Sequence, residues 1–260
     1  MSNKIAILGC GNIGSAIAKG FVASGKFSAS GISITRRHLN QLETMKSDGF
    51  TVCNNTDAVN NSNIIIASVE PSQLLQLLEE ISPLLNENHL IISTVSAIEI
   101  DAMKPFTKDT PVVRAMPNTA ISVGLSMTCL CSESESGLKT ATELFDIVGE
   151  TVIIDEELMA SATALCACGT AFFLRAIRAA SQGGVEIGFH AKDALLMSAQ
   201  TALGASKLLI SSNNHPEREI DHVTTPRGAT ISGLNEMEHR GFSSAMIKGI
   251  ITSTEKINEL

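Results

Sequence analysis

The segment Gly9–Gly14 (Gly-Cys-Gly-Asn-Ile-Gly) most constrains the fold, because three glycines at fixed spacing directly follow an apolar run. An apolar strand, a G-x-G-x-x-G turn and a helix start together form a phosphate-binding unit. Gly9 permits the tight turn, Gly11 lets the backbone approach a pyrophosphate, and Gly14 lets helix and strand pack closely. The helix N-terminus then faces the negative charge. We therefore predict a dinucleotide-binding site.

Apolar strands and helical patterns alternate through the first half of the chain, as in a parallel sheet with helices on both faces. The predicted strands are Ile5–Gly9, Gly31–Thr35, Asn63–Val69, His89–Thr94, Pro111–Arg114, Leu125–Leu130 and Thr151–Ile154. Helical patterns between them include Gly14–Ser24, Ser72–Ile81 and Ser136–Val148. From Glu156 onward strand signals vanish. We predict an α/β fold, with a Rossmann-type doubly wound sheet in residues 1–155 and an all-helical domain in residues 156–260.

Composition narrows the class of partner. With 44% hydrophobic and 18% charged residues, the 260-residue chain belongs to packed globular proteins. Its net charge of −8 lacks the basic field that nucleic acid or an anionic membrane surface requires. The apolar run Leu158–Ile177 carries polar residues and meets Arg175 and Arg178, so it does not qualify as a membrane span and predicts a buried helix. We therefore expect a small-molecule partner.

The six cysteines are scattered in apolar stretches, where a thiol behaves as a small hydrophobe. They indicate a reducing, cytoplasmic compartment. The pairs Cys129/Cys131 and Cys166/Cys168 have one intervening residue and no histidine at ligand spacing, so we predict no metal site.

The end of the second predicted strand indicates which dinucleotide binds. An acidic residue there would bond a ribose 2′-hydroxyl, but this chain has Thr35, Arg36 and Arg37. A guanidinium suits a 2′-phosphate, which favours NADPH over NADH. The alternative is that both arginines are solvated surface residues.

The other polar residues that could bind cofactor or substrate are weaker evidence when each is considered alone. Asn55 and Val69–Pro71 are suggested by position, since loops after parallel strands face a cofactor. Asn118 and Thr119 either belong to the site or cap a structural turn. The turn before Gly228–Thr230 offers backbone N–H groups and a hydroxyl to a carboxylate, or forms an ordinary helix cap.

Four motifs make the chain resemble the pyrroline-5-carboxylate reductase family over nearly its whole length, and more loosely the NADP-dependent imine reductases and β-hydroxyacid dehydrogenases. They are Gly9–Gly14, the Val-x-Pro turn at Val69–Pro71, VVRAMPNT at Val112–Thr119, and TTPRGATISGLNEME at Thr224–Glu238. The last two, with AQTALGASKLL at Ala199–Leu209 between them, are highly specific together.

The resemblance implies that NADPH, or less favourably NADH, reduces the C=N bond of Δ1-pyrroline-5-carboxylate to give L-proline, the last step of proline biosynthesis. It also implies that the helical C-terminal domain is a dimerisation domain that interlocks two chains. The expected partners are then the small-molecule substrate and a second copy of the chain, with dimers able to assemble further, and neither nucleic acid nor membrane.

The resemblance also assigns roles to individual residues. Thr230 matches the hydroxyl that bonds the pyrroline nitrogen, and is the expected catalytic residue. The expected substrate-binding residues are Asn118, Gly228, Ala229 and Thr230. The expected cofactor-binding residues are Gly9, Gly11, Asn12, Ile13, Gly14, Thr35, Arg36, Asn55, Val69 and Pro71.

Several residues depart from the family pattern. Glu70 stands where the family usually has Lys, Ser96-Ala97 replaces Ala-Gly, and Arg227 replaces the first of two glycines. Arg178 stands where Glu is common. These changes leave two alternatives open: a related NADP-dependent reductase of another cyclic imine, or a catalytically degenerate nucleotide-binding paralogue.

Overall fold

The computed structural model describes residues 4–259, in which strands alternate with helices up to β8 and helices alone follow. The strands are β1 (Ile5–Leu8), β2 (Ile32–Thr35), β3 (Thr51–Val52), β4 (Ile64–Ala67), β5 (Leu90–Ser93), β6 (Val112–Met116), β7 (Ser126–Cys131) and β8 (Gly149–Ile153). The helices are α1 (Asn12–Ala23), α2 (Glu43–Ser47), α3 (Asn55–Asn60), α4 (Pro71–Ile81), α5 (Ile100–Thr107), α6 (Glu135–Phe145), α7 (Met159–Ala162), α8 (Gly169–Glu186), α9 (Ala191–Ser212), α10 (Pro216–His222), α11 (Ala229–His239) and α12 (Phe242–Asn258). A π-helical segment, Thr163–Cys168, joins α7 to α8.

The strands form one sheet in the order β3-β2-β1-β4-β5-β6-β7-β8. Strand β1 pairs in parallel with β2 on one side and with β4 on the other. The strand order therefore reverses between β1 and β4, where an open α/β sheet leaves a crevice at the carboxyl ends of its strands. The predicted doubly wound α/β fold is confirmed.

Two details of the sheet differ from the prediction. Strand β3 was not predicted, because two residues give too short a pattern to recognise. The expectation of a wholly parallel sheet is wrong at β7, which pairs with β6 in antiparallel register. Residues 117–125 are too few for the helical crossover that a parallel pair requires.

The core lies on both faces of the sheet. Ile5 and Ile7 of β1 face one apolar cluster, while Ala6 and Leu8 face the other. All four side chains of β1 are fully buried, as expected for a central parallel strand covered by helices on both faces. This burial fixes the carboxyl end of β1, where the Gly9 turn begins.

The chain divides into two compact units. The first comprises the described residues up to Cys168 and those from Ser253 onward, and the second is Gly169–Thr252. The second unit is helical throughout its ordered elements, as predicted. The domain limits at 155 and 156 stay a prediction.

The second unit exposes much of its apolar surface. Phe173 and Leu174 of α8 are 63% and 60% exposed, and Leu196 of α9 is 67% exposed. The prediction that Leu158–Ile177 is a buried helix is therefore wrong for its α8 part in the single chain, because no residue that the structure describes covers the outer face of α8. By length and composition alone, Glu156–Glu186 and Ala191–Ser212 are apolar enough to cross a membrane.

Candidate active site

A cleft of about 660 Å³ opens in the first unit at the carboxyl ends of β1, β2 and β4. The predicted cofactor-binding residues that line it are Gly9, Gly11, Thr35, Arg36, Asn55 and Val69. The others do not line it: Asn12, Ile13 and Gly14 lie in the first turn of α1, and Pro71 begins α4. The cleft thus gathers residues from four separate segments at the strand-order reversal.

The glycine turn is held by close backbone packing. Gly9 has a φ of +86°, and a Cβ there would lie against Val69 Cγ1 and 2.7 Å from the Ser68 carbonyl oxygen. A Cβ on Gly14 would lie 3.1 Å from the Gly9 carbonyl oxygen and 3.2 Å from Ile7 Cγ2. Both positions therefore need glycine, one for conformation and one for the approach of α1 to β1.

One end of the cleft can bind phosphate. Gly11 is the N-cap of α1, and no side chain in residues 4–259 caps that helix. Its first amide N–H groups are therefore available to an anion. The buried Ser68 hydroxyl also lines the cleft and has no hydrogen-bond partner within the described chain. An uncapped helix start beside an unsatisfied hydroxyl fits the diphosphate of a dinucleotide.

Two arginines lie at the end of β2. Arg36 and Arg37 are both exposed, and both line the cleft directly after the buried Thr35. Neither forms an ion pair with any residue that the structure describes. Their guanidinium groups are therefore available to a second phosphate group, as on a 2′-phosphorylated ribose.

A polar chain from the floor of the cleft fixes the orientation of Asn55. The Thr35 hydroxyl donates to Asn55 Oδ1 at 2.6 Å, and Asn55 Nδ2 donates to Glu80 Oε1 and Oε2 at 3.1 and 3.2 Å. A carboxylate only accepts, so Glu80 determines which end of the Asn55 amide faces it. Sequence reasoning missed Glu80, since neither spacing nor motif links an exposed residue late in α4 to Asn55.

Glu70 places a second carboxylate in the cleft, as the departure from the family pattern indicated. Its Oε2 accepts a hydrogen bond from Gln73 Nε2 at 3.2 Å. The cleft therefore carries carboxylates as well as guanidinium groups.

Asn118 uses its side chain within the protein. Its Oδ1 accepts from the Ala120 N–H at 3.0 Å, and its Nδ2 donates to the Cys166 carbonyl at 3.2 Å. It is buried at the start of the turn between β6 and β7. These contacts favour the interpretation of Asn118 as a structural cap, and its contact with substrate stays a prediction.

The predicted substrate residues Gly228, Ala229 and Thr230 lie at the start of α11, in the second unit. Gly228 is the N-cap, and its N–H donates to the Thr225 carbonyl at 2.9 Å, which closes the preceding turn. Thr230 is exposed, and α11 has no side-chain cap among the described residues. This helix start can therefore offer amide N–H groups to a carboxylate beside the Thr230 hydroxyl.

Two departures from the family pattern fall on strained backbone. Ala97 has a φ of +64° and Arg227 a φ of +61°, the left-handed region that favours glycine. Both stand where the family has glycine. At these two turns the chain therefore places a residue with a side chain on backbone that glycine adopts without strain.

Comparison with known proteins places this geometry in a family. Residues 156–260 match the family model of pyrroline-5-carboxylate reductase dimerisation, and residues 4–97 match that of NADP oxidoreductase, coenzyme F420-dependent. Pyrroline-5-carboxylate reductase 2 of Dictyostelium discoideum is 48% identical, over 98% of this chain and 92% of that protein. The chain belongs to the pyrroline-5-carboxylate reductase family.

Other members of the family align along the whole chain. Pyrroline-5-carboxylate reductase 1 of Dictyostelium discoideum is 52% identical over 99% of this chain, which spans half the length of that protein. The solved 1-pyrroline-5-carboxylate reductase of Streptococcus pyogenes matches with a TM-score of 0.86 at 27% identity, over 99% of each chain. The resemblance predicted from the four motifs is confirmed.

Proposed function

We propose that this protein catalyses the NADPH-dependent reduction of Δ1-pyrroline-5-carboxylate to L-proline. The observation that carries the proposal is its 48% identity to pyrroline-5-carboxylate reductase 2 of Dictyostelium discoideum across 92% of that protein. The cleft supports it independently, because an uncapped helix start and two arginines lie together at the strand-order reversal.

The first unit would hold the cofactor. The amides at the start of α1 bind the diphosphate, Gly11 lets the backbone approach it, and Arg36 binds the 2′-phosphate. Asn55, oriented by Glu80, presents a fixed polar edge to the cleft. When bound, NADPH supplies the hydride that the C=N carbon accepts. NADH lacks the 2′-phosphate and binds less tightly.

The start of α11 would hold the substrate. The amide of Ala229 and those that follow it in the first turn of α11 bind the carboxylate, with Gly228 as the N-cap, and the Thr230 hydroxyl bonds the ring nitrogen. A protonated cyclic imine is already electrophilic, so the protein has to position it and stabilise the new amine, without a strong acid. Thr230 is therefore a catalytic residue that orients the substrate.

A second copy of the chain would cover the exposed apolar helices. The dimerisation model spans 156–260, which includes both helical stretches apolar enough for a membrane. We infer that their apolar faces pack against a partner subunit in the cytoplasm, and that neither a membrane nor a nucleic acid binds the protein. Association of dimers into larger assemblies is compatible with this arrangement.

The test follows NADPH absorbance after Δ1-pyrroline-5-carboxylate is added to the purified full chain, with NADH in parallel and proline identified as the product. Thr230→Val removes the hydroxyl at constant volume, and Thr230→Ser retains it. We expect Thr230→Val to lower kcat/KM about 10- to 100-fold with the KM for NADPH unchanged, since one hydrogen bond to a charged group is lost. Thr230→Ser should recover most of the activity.

The alternatives give different results. Bound NADPH with turnover of another cyclic imine, but not of pyrroline-5-carboxylate, would identify a related reductase. Bound NADPH with no imine turned over would identify a degenerate paralogue. Equal activity in Thr230→Val and the unmodified chain would remove Thr230 from the mechanism.

A further inference from the structure

Two cysteines far apart in the sequence meet in the first unit. Cys129 lies in β7 and Cys166 in the π-helical segment, and their sulfur atoms are 3.8 Å apart. The proposed reaction uses neither thiol. A disulfide has sulfur atoms about 2.05 Å apart. Side-chain rotations that shorten the distance between the two sulfur atoms by less than about 2 Å would therefore bring them into bonding distance.

Rigid elements hold both residues. Cys129 pairs with Met116 of β6 on one side and Val152 of β8 on the other, so its backbone is fixed within the sheet. The Cys166 carbonyl accepts the hydrogen bond from Asn118, and π-helical turns often mark functional positions. The sulfur contact thus joins two fixed segments and does not depend on a mobile loop.

The two thiols differ in access and acidity. Cys129 is 5% exposed, whereas Cys166 is half-buried. The hydrogen bond between the two sulfur atoms, with Cys129 as the donor to ionised Cys166, lowers the pKa of Cys166 to about 7. The same hydrogen bond, together with burial, raises the pKa of Cys129. The more accessible thiol is therefore also the more nucleophilic one at neutral pH.

We propose that Cys129 and Cys166 form a reversible disulfide when the protein meets a peroxide. Among residues 4–259, no group of three or more His, Cys, Asp and Glu side chains is placed to hold a metal ion, so a thiol pair is the chemistry this contact supports. Cys166 is the attacking thiol, and Cys129 is the resolving thiol.

Hydrogen peroxide supplies the oxidising equivalents. The Cys166 thiolate attacks a peroxide oxygen, an S–O bond forms, the O–O bond breaks, and hydroxide leaves to become water. The resulting sulfenic acid is then attacked by Cys129, an S–S bond forms, the S–O bond breaks, and a second water leaves with the Cys129 proton. In sum, two thiols and one peroxide give one disulfide and two waters, and a dithiol reductant reverses the change.

The test maps the bond directly and needs no enzymatic activity. The full chain is treated with one equivalent of hydrogen peroxide, the remaining thiols are alkylated, and the tryptic peptides are analysed without reduction. Cleavage after Arg114, Lys139 and Arg175 places Cys129 with Cys131 on one peptide and Cys166 with Cys168 on the next. The double variant Cys131→Ser/Cys168→Ser is therefore the matched control, because it leaves only the proposed pair on these peptides.

We expect a link between the two peptides in the unmodified chain and in the control, and its loss in Cys166→Ser and Cys129→Ser. Dithiothreitol should restore both thiols. Cys166 is half-buried, so its serine variant is the one expected to fold without disturbance. A link that persists in Cys166→Ser, a link between two copies of the chain, or irreversible oxidation of Cys166 without a link would overturn the proposal.

Discussion

Ala97 adopts a left-handed backbone conformation, which is strained for a residue with a side chain. An L-residue with φ near +60° costs roughly 1–2 kcal/mol, and glycine does not. We therefore predict that Ala97→Gly raises the free energy of unfolding by about 1 kcal/mol, measured by urea denaturation. Ala102 is the control, because it is exposed within α5, where the same change should lower stability by up to about 1 kcal/mol. Destabilisation at both positions would show that Ala97 is not strained.

Arg36 is predicted to determine the preference for NADPH. It is exposed and has no ion-pair partner in the described part of the chain, so its removal should leave the fold intact. A hydrogen bond to a charged group contributes about 1.5–3 kcal/mol, so Arg36→Ala should raise the KM for NADPH about 10- to 100-fold. The KM for NADH should not change. A larger effect from Arg37→Ala would transfer the role to the neighbouring residue.

Sequence reasoning found the site residues that lie in contiguous motifs and missed those that depend on long-range packing. Gly9, Gly11 and Arg36 follow from their order along one strand–turn–helix–strand unit. Glu80 binds an asparagine 25 positions away, and Cys166 contacts a thiol 37 positions away. No local pattern encodes either contact, since both depend on how α4 and the π-helical segment pack.

Among the elements, the buried strands were predicted to within a few residues, because continuous apolar runs bounded by turns describe them well. The strand β3 was too short to predict, and the orientation of β7 follows from the length of its connection. Helix α5 was also missed, since Pro105 lies inside it and its pattern is weak. Sequence patterns therefore miss elements that are very short and elements that a proline interrupts.

An ion pair joins β6 to the start of the helical region. Arg114 is 5% exposed, and its Nη1 lies 2.8 Å from Glu156 Oε1, which also accepts the Ile100 N–H at 2.8 Å. Glu156→Gln removes the negative charge that compensates a buried guanidinium. Because Glu156 is itself 33% exposed, solvent screening reduces the cost, and we predict a loss of about 2 kcal/mol in the free energy of unfolding.

Urea denaturation of the full chain measures this loss. Glu133→Gln is the matched control, because the Glu133–Lys104 pair has the same 2.8 Å separation but is solvent-exposed. An exposed pair contributes less than about 1 kcal/mol. Equal losses in the two variants would mean that burial of Arg114 does not strengthen its ion pair.

At the scale of the whole molecule, the second unit exposes more apolar surface than a soluble monomer usually does. The apolar stretch of α9 is only 6% buried, and its side chains Leu195, Leu196 and Leu203 are each more than half exposed. Exposed apolar surface of this extent is typical of an interaction site. The prediction of a buried helix concerned Leu158–Ile177, which includes the start of α8. Residues 156–260 match a dimerisation family model, and a partner subunit would bury the apolar side chains that the single chain leaves exposed.

A negative charge introduced on the exposed apolar surface of α9 should weaken association of two subunits. Leu196→Glu would bury a carboxylate between two subunits, at a cost of several kcal/mol, so the dimer dissociation constant should rise at least 100-fold, which corresponds to about 3 kcal/mol. Sedimentation equilibrium measures the constant, and imine reduction assayed at the same concentrations should fall with the dimer fraction. Lys139→Glu changes an exposed residue of α6 in the first unit and should leave both unchanged. An unchanged dimer in Leu196→Glu would place the interface elsewhere, and a fully active monomer would show that one chain contains the complete site.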